Sequence, residues 1–289
     1  MTQSHHFPPL YVSHGSPMIA LEQSPAALFL DRLGPAVEAA FGRPRAVLVV
    51  SPHSSTRETM LLGGLRHEAI HDFGGFPQAL YEQRYDAPGA PALAAEIAQS
   101  LAATGVAAQS VAASGLDHGI WTLMKRAWPG ADLPVLPLTL VPNAAPARQF
   151  ALGEALSRWA EAGVLIIGSG SLTHNLRRFF SSPNAHEGNR ELPVSPDVAE
   201  FQEWVRARGA ARDWDALIDY RKQAPHAALQ HPTDEHWLPY YIAAGAGGRT
   251  SPAVRIHASV DAGMLAMDAY AFGPQAGRLA EALGEPVPA

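Results

Sequence analysis

Ala46-Val47-Leu48-Val49-Val50-Ser51-Pro52-His53-Ser54 is an aliphatic, largely β-branched run that stops abruptly at Ser-Pro-His. A short apolar stretch without polar alternation reads as a strand buried on both faces. Similar runs at Pro9 to Val12 and Val164 to Gly168, with Val135 to Val141 as a fourth, predict further strands of the same kind. Between them lie Ala26 to Phe41, Ala92 to Thr104, Ala147 to Ala162 and Ser195 to Arg208, Ala/Leu/Glu/Arg-rich segments with apolar residues three and four apart, which predicts helices. Strands alternating with helices of that length predict an α/β fold with a largely parallel sheet covered by helices on both faces.

In such sheets ligands gather beyond the carboxyl ends of the strands, and His14, His53 and His174 each follow a predicted strand by a few residues. His14 stands in Ser-His-Gly-Ser-Pro, a tight strand exit that projects the ring outward; His53 leaves its strand in nearly the same way. For each, the alternative is a loop imidazole bonded to backbone. His174 follows Gly168-Ser169-Gly170-Ser171, which lacks both the Lys-Ser/Thr ending of a phosphate loop and the Gly-x-Ser-x-Gly elbow of a serine nucleophile, so the glycines read as backbone shaping. His118 lies beside Asp117, which either orients an imidazole or caps the helix that starts there. In His231-Pro232-Thr233-Asp234-Glu235-His236 both His236 and Glu235 are candidate ligands, against the alternative of an N-cap from Thr233 or Asp234. The segment His71-Asp72-Phe73-Gly74-Gly75-Phe76-Pro77 could wall a planar substrate or pack under its own loop. Imidazole binds borderline metals and moves protons near neutral pH, so this set predicts a mononuclear metal site with its own acid/base group.

Composition narrows the classes. The chain has 289 residues, 47% of them hydrophobic, enough for a substantial core; length alone leaves the domain count open. A formal charge of −6 with 21 Lys+Arg and no basic run predicts no nucleic-acid partner. With no cysteine, disulfides, thiolate nucleophiles and Cys-containing metal sites are excluded, so a metal must be held by His, carboxylate and water. Met1 to Pro9 shows no charged segment followed by an apolar core, and no apolar run approaches membrane-spanning length; the expectation is a soluble, cytoplasmic protein with no membrane partner. Residues 1–8, with His5 and His6, read as a flexible leader. The oligomeric state is not legible.

Several motifs in order carry a resemblance: His-Gly-Ser-Pro at 14 to 17, Ser-Pro-His at 51 to 53, His-Asp-Phe-Gly-Gly-Phe-Pro at 71 to 77, Tyr-Asp-Ala-Pro-Gly at 85 to 89, Asp-His-Gly at 117 to 119, Thr-His-Asn-Leu-Arg at 173 to 177 and Pro-Thr-Asp-Glu-His at 232 to 236. Together the chain resembles the class III extradiol dioxygenase superfamily, in its 4,5-DOPA dioxygenase-like branch. The resemblance implies a single α/β domain over 1–289 with a mixed central sheet and a metal held by His14, His53 and His236. It further implies that His174 is the acid/base group or an additional ligand, and that His118 contacts substrate or dioxygen. His71, Asp72 and Phe73 are expected to bind substrate. The sequence departs from the pattern at Asp234, where proline is expected, and over Ser181 to Gln230, which matches no motif and contains His186 and His226.

The implied chemistry is insertion of both atoms of dioxygen into a catechol, DOPA-like or otherwise, with ring cleavage. One divalent ion is implied, Fe(II) for activity; zinc in a crystal would report ligand geometry only. The rivals are a zinc-dependent hydrolase using the same imidazoles, and a binding protein without turnover.

Overall fold

The structure, a computed structural model, describes residues 6–182 and 192–285. The apolar runs became the middle of one mixed sheet of eight strands. These are β1 (Leu10–Ser13), β2 (Ala46–Ser55), β3 (Thr59–Leu62), β4 (Ala108–Val111), β5 (Val135–Leu140), β6 (Val164–Gly170), β7 (Val254–His257) and β8 (Ala269–Ala271), in the spatial order β4-β3-β5-β2-β6-β1-β8-β7. β5, β2, β6 and β1 are mutually parallel, as is the outer pair β3 and β4, while β3, β8 and β7 join their inner neighbours antiparallel.

Alternation along β2 shows why a continuous apolar run was needed. Ala46, Leu48 and Val50 enter a core that includes Phe150 and Ile242, whereas Val47 and Val49 enter a second with Phe29, Leu123 and Leu279. Successive side chains point to opposite faces, so both faces are buried. Helices α1 (Pro25–Phe41), α3 (His118–Ala127) and α8 (Ala276–Leu283) cover one face; α2 (Pro91–Ala103), α4 (Pro146–Glu161), α6 (Pro196–Ala210) and α7 (Leu238–Gly247) cover the other. The short α5 (Leu176–Ser181) follows β6. This is the expected α/β class with helices on both faces.

Three expectations change in detail. β2 runs on through Ser55, with its register to β5 broken between Ser51 and Ser55, so His53 sits in an irregularity of the strand. The expected leader does not reach Phe7, whose ring is buried, packs edge-on against Phe41 and whose N–H donates to the Ala160 carbonyl; Met1 to His5 lie outside the described residues. The unassigned stretch from Ser181 to Gln230 contains α6 and three shorter helices, Trp214–Ile218, Tyr220–Gln223 and Ala227–Gln230. Its His226 bonds Glu200, and His186 lies outside the described residues. Among the described residues, no helix is long and apolar enough to cross a membrane.

Candidate metal centre

The carboxyl ends of β1, β2 and β6 lie side by side, and the residues that follow them meet. His14 comes directly after β1, and its backbone N–H donates to the Gly170 carbonyl at the end of β6. His174 lies in the turn between β6 and α5, its N–H donating to the Gln230 carbonyl. His236 stands two residues before the start of α7 and its carbonyl accepts from Ser171 N–H. His118 is the first residue of α3.

These imidazoles form one cluster. Ring centroids lie 5.2 Å apart for His14 and His53, 5.6 Å for His14 and His236, and 5.0 Å for His53 and His236. His118 lies 3.9 Å from His53 and 5.5 Å from His14, and His174 stacks on His236 at 3.4 Å. By ligand atoms, two groups come within 4.8 Å: His14, His53 and His118, and His174, Glu235 and His236. The triad expected from sequence, His14, His53 and His236, thus spans both groups, and His118 is as well placed as any of the three.

Hydrogen bonds decide which ring nitrogens are free. Ser169 Oγ donates to the Gly119 carbonyl and therefore accepts from His14 Nδ1, 2.9 Å away, which leaves the lone pair of His14 on Nε2. That Nε2 lies 3.2 Å from His53 Nε2, while His53 Nδ1 faces Asp72 Oδ2 at 3.8 Å. Asp72 accepts from both the backbone N–H and Nδ1 of His118, each at 3.0 Å, so His118 too keeps its lone pair on Nε2. His236 Nδ1 lies 3.3 Å from Glu235 Oε1.

Burial, and then the mutual repulsion of charged imidazoles, holds His14 and His236 well below the ordinary histidine range and His53 at about 3. His174 is pushed down to about 4, first by burial, against the pull of Glu235. Burial works against ionisation of Asp72, yet its bonds from His118 keep its pKa below the usual carboxylate value. Buried rings whose Nε2 atoms face one another suit a divalent ion, which would take the place of the contact between His14 and His53. The donor set fits a metal.

Around this cluster the structure sorts the other candidates. Phe73 lies 5.8 Å from His118 and belongs to an aromatic group with Phe76, Tyr81, Trp121 and His71, so the loop expected to bind substrate does flank the imidazoles. The capping alternative for Asp234 is not realised: its carboxylate takes Tyr220 Oη and Arg221, and α7 starts without a side-chain cap. Asp117 does not cap α3 either; it accepts from Ser51 and Ser54. The serines at 51, 54 and 169 were missed as site residues. The available signal was a hydroxyl at the end of an otherwise apolar, fully buried strand, which needs a partner.

The sequence model of one family, the catalytic LigB subunit of aromatic ring-opening dioxygenase, matches residues 2–273. A protein of Beta vulgaris named 4,5-DOPA dioxygenase extradiol is 36% identical over 265 residues, 91% of this chain and 95% of its own length. One of the same name from Escherichia coli (strain K12) is 32% identical over 275 residues, covering 93% and 96%. A solved structure, that of the uncharacterized protein JW3007 from Escherichia coli K12, superposes with a TM-score of 0.74 at 28% identity, covering 92% of this chain and all (100%) of that one. The Beta vulgaris and Escherichia coli (strain K12) sequence relatives are named as dioxygenases, and the hydrolase alternative gains no support from them.

Proposed function

Because this chain belongs to the family of the catalytic LigB subunit of aromatic ring-opening dioxygenases, we propose that it cleaves a catechol of DOPA-like type at the carbon–carbon bond beside the two hydroxyls, with Fe(II) as the working ion. The observation that carries the reading is the meeting of His14, His53 and His236 from three separate chain segments, with His174 stacked on one of them. The two named 4,5-DOPA dioxygenases support a DOPA-like substrate.

In this reading His14, His53 and His236 hold the ion through Nε2, and Glu235 orients His236 rather than ligating. Fe(II) supplies a site where catechol oxygens and dioxygen meet and electron density passes between them. His174, neutral at pH 7, takes a hydroxyl proton from the catechol on a ring nitrogen and returns it as the ring opens. His118, with Nδ1 anchored on Asp72, would offer Nε2 as a hydrogen-bonding group to substrate or dioxygen. Asp72 thereby serves substrate binding through His118, while Phe73 and His71 wall the aromatic ring. Residues 1–289 act as one catalytic unit.

The test is anaerobic loading of the full chain with Fe(II), then a panel of catechols including DOPA, followed by oxygen uptake and absorbance of the yellow ring-opened product. No uptake with iron bound would favour a binding protein. The choice of third imidazole is tested separately: H236A should lose bound metal, whereas H118A should keep it and lose rate. The reverse pattern would make His118 the ligand.

A further inference from the structure

We infer that Asp117 is a positioning residue: a buried carboxylate that holds the His53 turn against His14 from the start of α3, without itself reaching ion or substrate. The inference rests on reading the imidazole cluster as a metal site.

Asp117 stands at the N-cap of α3 and is 3% exposed, yet its side chain makes no capping bond. Both its oxygens are used elsewhere: Oδ1 accepts from Ser51 Oγ at 2.7 Å and Oδ2 from Ser54 Oγ at 2.5 Å. Those serines flank Pro52-His53, and Ser51 Oγ also accepts from the His53 backbone N–H at 3.3 Å. The turn needs such a brace because the pairing of β2 with β5 breaks between Ser51 and Ser55, leaving His53 outside a regular ladder. A carboxylate suits the place, being an acceptor at both oxygens. An amide would turn a donor toward one hydroxyl, which would then have to take its own proton to another acceptor.

The same turn of α3 holds the other imidazole. The Gly119 carbonyl accepts from Ser169 Oγ, which in turn fixes His14 Nδ1. Gly119 packs so closely that a Cβ there would stand 2.6 Å from Ser51 Oγ and 3.1 Å from the His14 ring. Residues 117–119 therefore grip His53 through Ser51 and Ser54, and His14 through Ser169. The 3.2 Å between the two Nε2 atoms is set from this one turn. Groups that orient ligands in this way govern affinity as well as rate.

The test is a Co(II) titration of the metal-stripped full chain, by competition with a coloured chelator, with the visible spectrum of the cobalt-loaded protein and the melting temperature of the metal-free protein. D117A should bind cobalt about 10- to 100-fold more weakly than wild type and D117N by a smaller factor, both with an altered cobalt spectrum. L279A, which opens the core under α8 away from the cluster, supplies a fold-destabilised control whose cobalt spectrum should stay that of wild type. If D117A does not fold, D117N and S54A carry the same measurement. Wild-type affinity and spectrum in the Asp117 and Ser54 variants, or an equal change in L279A, would overturn the role. Wild-type protein that takes up no cobalt would instead overturn the metal reading of the site, and this role with it.

Discussion

His174 shows what a single side chain is asked to do. Burial removes most of its tendency to charge, and Glu235 beside it restores some, leaving a base of about 4 that stays neutral at physiological pH. H174Q keeps polar size and removes the proposed proton carrier; the turnover rate should fall by about 10²- to 10⁴-fold while bound iron, measured by elemental analysis, stays level with wild type. Loss of iron along with rate would make His174 a ligand instead. Ser169 acts one atom further out, by fixing the tautomer of His14. S169A leaves a buried carbonyl and ring N–H without their hydroxyl, costing about 1–3 kcal/mol of stability, and frees His14 to place its proton on Nε2. Chelator competition should then give metal affinity about 10- to 100-fold weaker; unchanged affinity would mean the tautomer is set by something else. Of these two residues only His174 was legible, because an imidazole after a strand announces itself. The Ser169 hydroxyl, ending an apolar strand, signals that it needs a partner, but nothing local in the sequence says that its partners lie at His14 and Gly119.

At the scale of elements, the readable strands were those buried on both faces, whose apolar runs have no polar interruption. β4 (Ala-Gln-Ser-Val) has an exposed centre, β8 has three residues, and β7 alternates as Val-Arg-Ile-His, so neither run length nor composition set them apart from loops. Helix pairing was equally hidden, although it places His236. α4 and α7 approach so closely that a Cβ on Gly245 would stand 2.0 Å from the Phe150 carbonyl oxygen, and one on Gly153 2.1 Å from that of Ile242. Backbone cannot yield as a side chain end can, so G245A should force the helices apart at a cost of about 1–3 kcal/mol or more. Because α7 begins two residues after His236, whose carbonyl holds Ser171, the displacement should reach the cluster. A lowered melting temperature together with reduced metal content is the expected result. A melting temperature equal to that of wild type would show that the helices can part freely.

The whole molecule carries buried ionisable groups of opposite sign, and their balance sets how it responds to acid. His231 and His257 are pushed from 6.5 to about 4, chiefly by burial, and neither is among the proposed ligands. The unfolded chain protonates them below about pH 6.5 while the folded chain does not, so stability falls as pH drops through that window. Asp268 acts the other way. Burial raises its carboxyl from 3.8 to about 6 despite bonds from Gln202 and Arg255, so the folded protein keeps a proton that the unfolded chain has released, and stability falls as pH rises between those values. Carried in full, each displacement amounts to roughly 3 kcal/mol. Two such imidazoles outweigh one carboxyl, and the imidazoles of the cluster add to their side. Urea denaturation of the metal-free protein should therefore show stability declining from pH 7 to pH 4.5, and D268N, which removes an opposing group, should make the decline steeper. A D268N profile parallel to that of wild type would mean that Asp268 stays ionised in the folded protein, held by Arg255 against its burial.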